Sequence, residues 1–199
     1  MRERPILMTP GNAQKCHDGT KTQTRRIVSV PSWASDEDML KLAIQRPATG
    51  IAYFVDGMPV RRLTCPYGVV GDRLWVRESI YIDHFDYVKG PLPKEKPSLD
   101  DGMLIYRGEG TCCEQFGECD CGGAGAPWRP SLYMPRWACR TVLEITDVRV
   151  ERLGSISEAD AQAEGVQDIA EFIKLWESIN QTWEPSKWVW VLEFRKVLR

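Results

Sequence analysis

Histidine is nearly missing from this chain, with only His17 and His84 in 199 residues. The two are far apart and neither has a metal-ligand spacing, which argues against a histidine-built catalytic zinc and leaves no histidine pair for acid–base work. No apolar run approaches the roughly eighteen residues a membrane span requires, and the start Met1-Arg2-Glu3-Arg4-Pro5 lacks the apolar core of a secretory signal, so a cytoplasmic protein with no membrane partner is expected. A dominant charge is missing too. With Lys+Arg 26 against Asp+Glu 28, the formal net charge is -2, so bulk electrostatics cannot hold nucleic acid and any such site must be local. Cysteine is present but odd in number, seven in all, and in a reducing compartment thiols or metal ligands are expected before a disulfide framework.

What is present describes a globular protein. Hydrophobic residues make up 43% and aromatic residues 10%, and a chain of this length buries roughly 70% of its unfolded surface without staples. The length suits one α+β domain over residues 1–199, carrying insertions at about 31–50 and 83–127. Pro5 to Met8 reads as a short buried strand. Thr9-Pro10 then opens a helix through Cys16, which Gly19 stops. Residues 30–49 read as an excursion. Residues 51–55 and 60–63 form a hairpin about Asp56-Gly57. Leu74-Trp75-Val76 suits a core strand continuing to Ile82, followed by a proline-rich linker over 83–102 and a short strand at Met103 to Tyr106.

Toward the C-terminus, Val142 to Val150 alternates but changes phase near Asp147, which predicts a strand with a bulge. Ser157 caps a helix ending at Glu164-Gly165. Ile169, Phe172, Ile173, Trp176 and Ile179 mark a second, amphipathic helix, and Trp188 to Val197 closes the chain as a strand. Mostly strands, with short helices near each end, argue for a small curled or barrel-like sheet with helices across it.

Four segments could carry chemistry. Residues 1–30 hold a local excess of +4, centred on Gly19-Thr20-Lys21-Thr22-Gln23-Thr24-Arg25-Arg26, while the rest of the chain sums to -6. Such a patch suits a phosphate or nucleotide site, and equally a solvated edge strand guarded by cations. In Trp128-Arg129-Pro130-Ser131-Leu132-Tyr133-Met134-Pro135-Arg136-Trp137, aromatic faces and guanidinium groups alternate. They suit stacking on unpaired bases, or core packing. Cys112, Cys113, Cys119 and Cys121 crowd four thiols into ten residues, enough for a structural zinc, although the spacing is not a pair of Cys-x-x-Cys knuckles. Glu164 sits in the last turn of its helix, where the dipole disfavours an acid, so it calls for a partner or for solvent.

Together, the Gly19–Arg26 segment, Gly71-Asp72-Arg73-Leu74-Trp75-Val76-Arg77-Glu78, and the helix ending Ala163-Glu164-Gly165-Val166 resemble the ASCH domain family of the PUA-like superfamily. The Trp128–Trp137 stretch and the closing Trp188-Val189-Trp190-Val191 strand look like the longer phage and prophage members. The resemblance implies a PUA-like β-barrel with flanking short helices, a cleft, and RNA or modified nucleosides as partners, with no cofactor required. Family members include an amidohydrolase that deacetylates acetylcytidine, and others reported as ribonucleases. The amidohydrolase's functional trio maps onto Lys21, Thr24 and Glu164. Arg25, Arg26 and Arg73, with Trp128, Tyr133 and Arg136, would be substrate contacts. In that chemistry Lys21 would activate the Thr24 hydroxyl and Glu164 would protonate the leaving amine. A ribonuclease or a non-catalytic reader of RNA or modified bases are the other two readings. If the cysteine loop holds zinc, protein purified without chelator should carry about one zinc per chain by elemental analysis; a content well below one would end that idea.

Overall fold

A computed structural model of the chain describes residues 1–45, 51–54, 61–83, 92, 94–96, 103–107 and 128–197. Five strands build the central sheet: β1 (Glu3–Leu7), β2 (Gln23–Ile27), β5 (Arg73–Arg77), β8 (Val142–Arg152) and β9 (Trp188–Val197), in the order β1-β5-β8-β9-β2. The β1–β5 pair is parallel and the other pairings are antiparallel. Two small antiparallel ribbons accompany it, β3 (Ile51–Phe54) with β4 (Arg61–Thr64) and β6 (Ile80–Asp83) with β7 (Met103–Tyr106). The fold is α+β with a mixed sheet. Among the described strands no closed barrel forms, because β1 and β2 are the sheet's two edges and no backbone ladder joins them.

The helices are short and well capped. In α1 (Pro10–Asp18) the Thr9 hydroxyl accepts from the Asn12 N–H, Pro10 stands at the first position, and Gly19 ends the helix in the left-handed region at φ 81°. In α3 (Glu158–Ala163) Ser157 and Asp160 form a reciprocal capping box, and α4 (Ile169–Asn180) is capped by Asp168. No helix among the described residues is long and apolar enough to cross a membrane.

The expected bulge in β8 is present: Ile145 faces Phe194 while Asp147 faces Glu193, so Thr146 is the extra residue. One expectation needs correction. The strand from Leu74 does not run on to Ile82. It breaks at Glu78-Ser79, where the fully buried Glu78 carboxylate receives two 2.9 Å bonds from the Arg140 guanidinium, and β6 leaves for its own ribbon. A buried carboxylate is tolerated only with such pairing, so the chain turns to supply it. The excursion at residues 31–50 has secondary structure of its own. It contains α2 (Asp36–Gln45), whose Met39 and Leu42 are buried in the core cluster of Ile6, Leu74 and Trp190. Asp36, on the same helix, accepts from Trp188 Nε1 at 2.9 Å and pairs with Arg152.

Strand β9 is buried on both faces, which explains its near-continuous apolar run. Trp190, Leu192 and Phe194 face the core shared with β1, α1 and α2, while Val189 and Val191 face the second core built by Phe172 and Trp176 of α4. Since Met39 is a core residue of the first cluster, Met39→Ala should cost about 2–5 kcal/mol in urea unfolding. A loss within about 0.5 kcal/mol would mean that α2 is a surface ornament.

Candidate functional site

The site begins with how the segment between α1 and β2 docks on the end of α3. Three successive carbonyls there would otherwise lack partners, as at any helix C-terminus. Each accepts from the N-terminal segment: Ala163 from the Thr22 N–H at 2.8 Å, Glu164 from Lys21 Nζ at 2.7 Å, and Gly165 from Lys15 Nζ at 2.6 Å. Gly165 has φ +84°, and a Cβ there would lie 3.0 Å from Lys15 Cδ and 3.2 Å from Lys21 Cβ. Glycine is therefore needed both for the backbone turn and for the approach of the two lysines.

Lys21 Nζ also meets Glu164 Oε2 at 2.5 Å, with both residues buried. This is the partner that an acid at the dipole's negative end requires. Arg25 reaches the other carboxylate oxygen, Oε1, at 3.4 Å, and lies 3.3 Å from Asp160 and 3.5 Å from Glu151. Its guanidinium also sits 5.8 Å from the Phe172 ring centroid. Arg149 extends the network, binding Glu151 at 2.6 Å, Asp160 at 3.1 Å, the Gln23 side-chain oxygen at 3.1 Å, and Glu193.

Burial acts on these groups before any partner does, and the partners decide the outcome. Desolvation alone would raise the Asp160 carboxyl, but the Ser157 hydroxyl and N–H, Arg25 and Gln23 bring it down to about 2. Desolvation would likewise lower Arg149, yet Glu151 and Glu193 hold it above the ordinary guanidinium range. The neighbouring Cys16 thiol is pushed up to about 12 by burial, in spite of Lys21 and Arg26, so it is inert as a nucleophile near neutral pH.

Above the ion pair lies a cavity of about 660 Å³. It opens between the two edge strands, with Pro5, Leu7 and Met8 of β1 and its exit on one side and Thr24 to Ile27 of β2 on the other. Arg26 spans the gap, donating to the Leu7 carbonyl at 2.8 Å and lying 3.4 Å from Met8 Sδ. Phe172, Leu175, Trp176 and Ile179 of α4 form an apolar wall, and Glu164 reaches the floor. A cleft of this size with an apolar wall and a few convergent polar groups is the ordinary form of a small-ligand site.

Of the residues singled out from sequence, Thr24, Arg25, Arg26 and Glu164 line this cavity, and Lys21 contacts Glu164 beside it. The remaining candidates lie elsewhere. Arg73 stands on β5 away from the cavity lining, its backbone N–H bonded to the Arg2 carbonyl. Trp128 packs edge-on against Tyr81 at 6.3 Å, Tyr133 is exposed on the 3₁₀ turn Ser131–Tyr133, and Arg136 is held by Glu3 at 2.8 Å over the Trp75 ring. Cys112, Cys113, Cys119 and Cys121 lie outside the described residues, and among the described residues no group of histidine, cysteine and acidic side chains could hold a metal. Arg77 and the α4 wall were not anticipated. Strand alternation could have put Arg77 on one face with Arg73 and Trp75, but only its pairing with Leu7, across β1 and β5, places it at the cavity.

No family model matches the chain, and no curated protein matches it. Among solved structures it is similar to protein EF3133 from Enterococcus faecalis V583, a protein of family DUF984, with 11% identity and a TM-score of 0.41 over 99% of this chain and 81% of that one. At that identity and score the likeness supports no argument about the site.

The Asp160 carboxylate gives a test of the network. Because its folded value lies below the 3.8 of an ordinary aspartate, its stabilisation is complete above about pH 4 and is lost as pH falls toward about 2. Asp160→Asn should therefore destabilise by about 1–2 kcal/mol at pH 7, and thermal melts should show the gap to wild type closing below pH 4. A gap independent of pH would exclude the carboxylate's charge as its source.

Proposed function

We propose that this chain is an ASCH-type, PUA-like domain in which β1 and β2 flank the cleft of an incompletely closed barrel, and that it binds a modified pyrimidine nucleoside, free or in RNA, and hydrolyses an acetyl amide on its exocyclic nitrogen. The observation that carries the reading is the 2.5 Å contact between Lys21 and Glu164 at the cavity that Thr24 lines. One contact thus holds a base and an acid together. In this reading Lys21 serves as the proton acceptor and Glu164 as the proton donor. The apolar wall of Phe172 and Trp176 supports a flat heterocycle as ligand.

In this scheme the Thr24 hydroxyl oxygen adds to the acetyl carbonyl and its proton passes to Lys21. The carbon–nitrogen bond then breaks, and Glu164 protonates the departing exocyclic amine, giving cytidine and an acetyl-threonine ester. Water adds to that ester, giving acetate and free Thr24, and proton transfer between Lys21 and Glu164 restores the starting pair. Arg25, near the carboxylate and bound to Glu151 and Asp160, orients Glu164.

Incubation with acetylcytidine, followed by chromatography, should yield cytidine. Thr24→Val and Lys21→Ala should each reduce its formation by about 10²- to 10⁴-fold. Thr24→Val is the decisive variant, since Lys21→Ala also leaves the Glu164 carboxylate buried without its nearest cation. Intact nucleoside with shortened single-stranded RNA would replace the reading by a ribonuclease. Intact nucleoside with intact RNA, and binding that weakens with salt, would replace it by a non-catalytic reader.

A further inference from the structure

The charges around the cavity are not all spoken for. Arg25 is balanced by Glu164, Asp160 and Glu151, and Lys21 by Glu164. Arg26 and Arg77, which also line the cavity, have no carboxylate partner among the described residues. Arg26 donates to the backbone oxygens of Leu7 and Arg25, which fixes the guanidinium without neutralising it. Arg77 lies over the Trp75 ring at 5.3 Å, and its Nε is buried with no hydrogen-bond partner.

The two arginines converge through one strand end. Leu7, whose carbonyl holds Arg26, is the register partner of Arg77 in the β1–β5 pair. Ser79, Ser131 and the first turn of α1 line the same cavity, the last bringing the positive end of a helix dipole. Partly buried, uncompensated guanidinium groups are costly in a free protein and favour an anion with several oxygens. On strand β2, Thr24 and Arg26 are two residues apart and share a face, roughly 7 Å from one to the other. A group reacting at Thr24 and an anion at Arg26 can therefore belong to one ligand of nucleotide size.

From this arrangement we infer that Arg26 and Arg77 form a phosphate seat, so that the ligand of the cavity is a phosphate ester of the nucleoside and not the free nucleoside. The inference rests on the proposed function for the base and the acyl group, but the seat itself is defined by the two arginines. Arg26 also ties the sheet's edges together, so Arg77 is the residue to vary.

Binding would be measured by calorimetry for acetylcytidine, acetylcytidine 5′-monophosphate, unmodified cytidine 5′-monophosphate, and a short single-stranded RNA containing one acetylcytidine. Wild type, Arg77→Gln and Arg77→Lys would be compared. The monophosphate is expected to bind at least about tenfold more tightly than the nucleoside. Arg77→Gln should remove most of that preference while leaving affinity for the nucleoside unchanged, and Arg77→Lys should restore part of it. Added salt should weaken the monophosphate and spare the nucleoside. If instead only the RNA gains, the phosphate recognised is a diester of the chain; if only the monophosphate gains, it is a terminal ester.

Equal affinity of nucleoside and both phosphate esters in wild type would overturn the seat, even with acetylcytidine deacetylated as proposed. An Arg77-dependent gain for unmodified cytidine monophosphate, without any deacetylation, would retain the seat and reject the amidohydrolase. Should Arg77→Gln fail to fold, the wild-type preference and its salt dependence decide the question.

Discussion

The buried contact between Lys21 and Glu164 is the constraint on which the site depends. Both side chains are almost wholly withdrawn from water, and each ion alone would cost several kcal/mol to bury. Held together at 2.5 Å, they make the approach of the N-terminal segment to the end of α3 tolerable. The same approach satisfies three helix-terminal carbonyls, sets Thr22 against β9 through the Phe194 N–H, and starts β2 in its register. Residues 143 positions apart in sequence thereby become one buried cluster.

From that contact the charges spread in two opposed ways. Toward α3 and β8 the network is closed: Arg25 and Arg149 are surrounded by Glu151, Asp160, Glu164 and Glu193, and Asp160 is held ionised far into acid. Such a network favours one arrangement of side chains, because any rotation strands a charge in a low-dielectric setting. Toward the cavity the balance is open: among the described residues Arg26 and Arg77 have no carboxylate partner. The described carboxylates thus compensate the cations toward α3 and β8 but not those that line the cavity.

The cavity lies between the sheet's two edge strands. A full ladder between β1 and β2 would fill the space the cavity occupies, and the side chain of Arg26 instead bridges the gap. The helix α4 lays Phe172 and Trp176 beside it, so the residues that complete the second core also form the cavity's apolar wall. Core and site share these side chains.

Local chemistry made much of the architecture legible in advance. Thr9-Pro10 and Gly19 bound α1, Ser157 and Asp160 start α3, the phase change near Asp147 marks the bulge, and the spacing from Ile169 to Ile179 gives α4, because caps, turns and periodicity act within a few residues. The oddity of an acid at Glu164 was also visible, though sequence left a partner and solvent as equal answers. What sequence alone could not decide was long-range: that Met39 and Leu42 of the 31–50 excursion join the core, that Glu78 breaks a strand to meet Arg140, and that Arg77 reaches the cavity while Arg136 is held by Glu3. Those outcomes depend on which apolar faces and buried charges meet once the sheet and helices pack. Local sequence determined the elements and their ends; only tertiary structure decided which charges are matched and which are left facing the cavity, because pairing energies act across space and not along the chain.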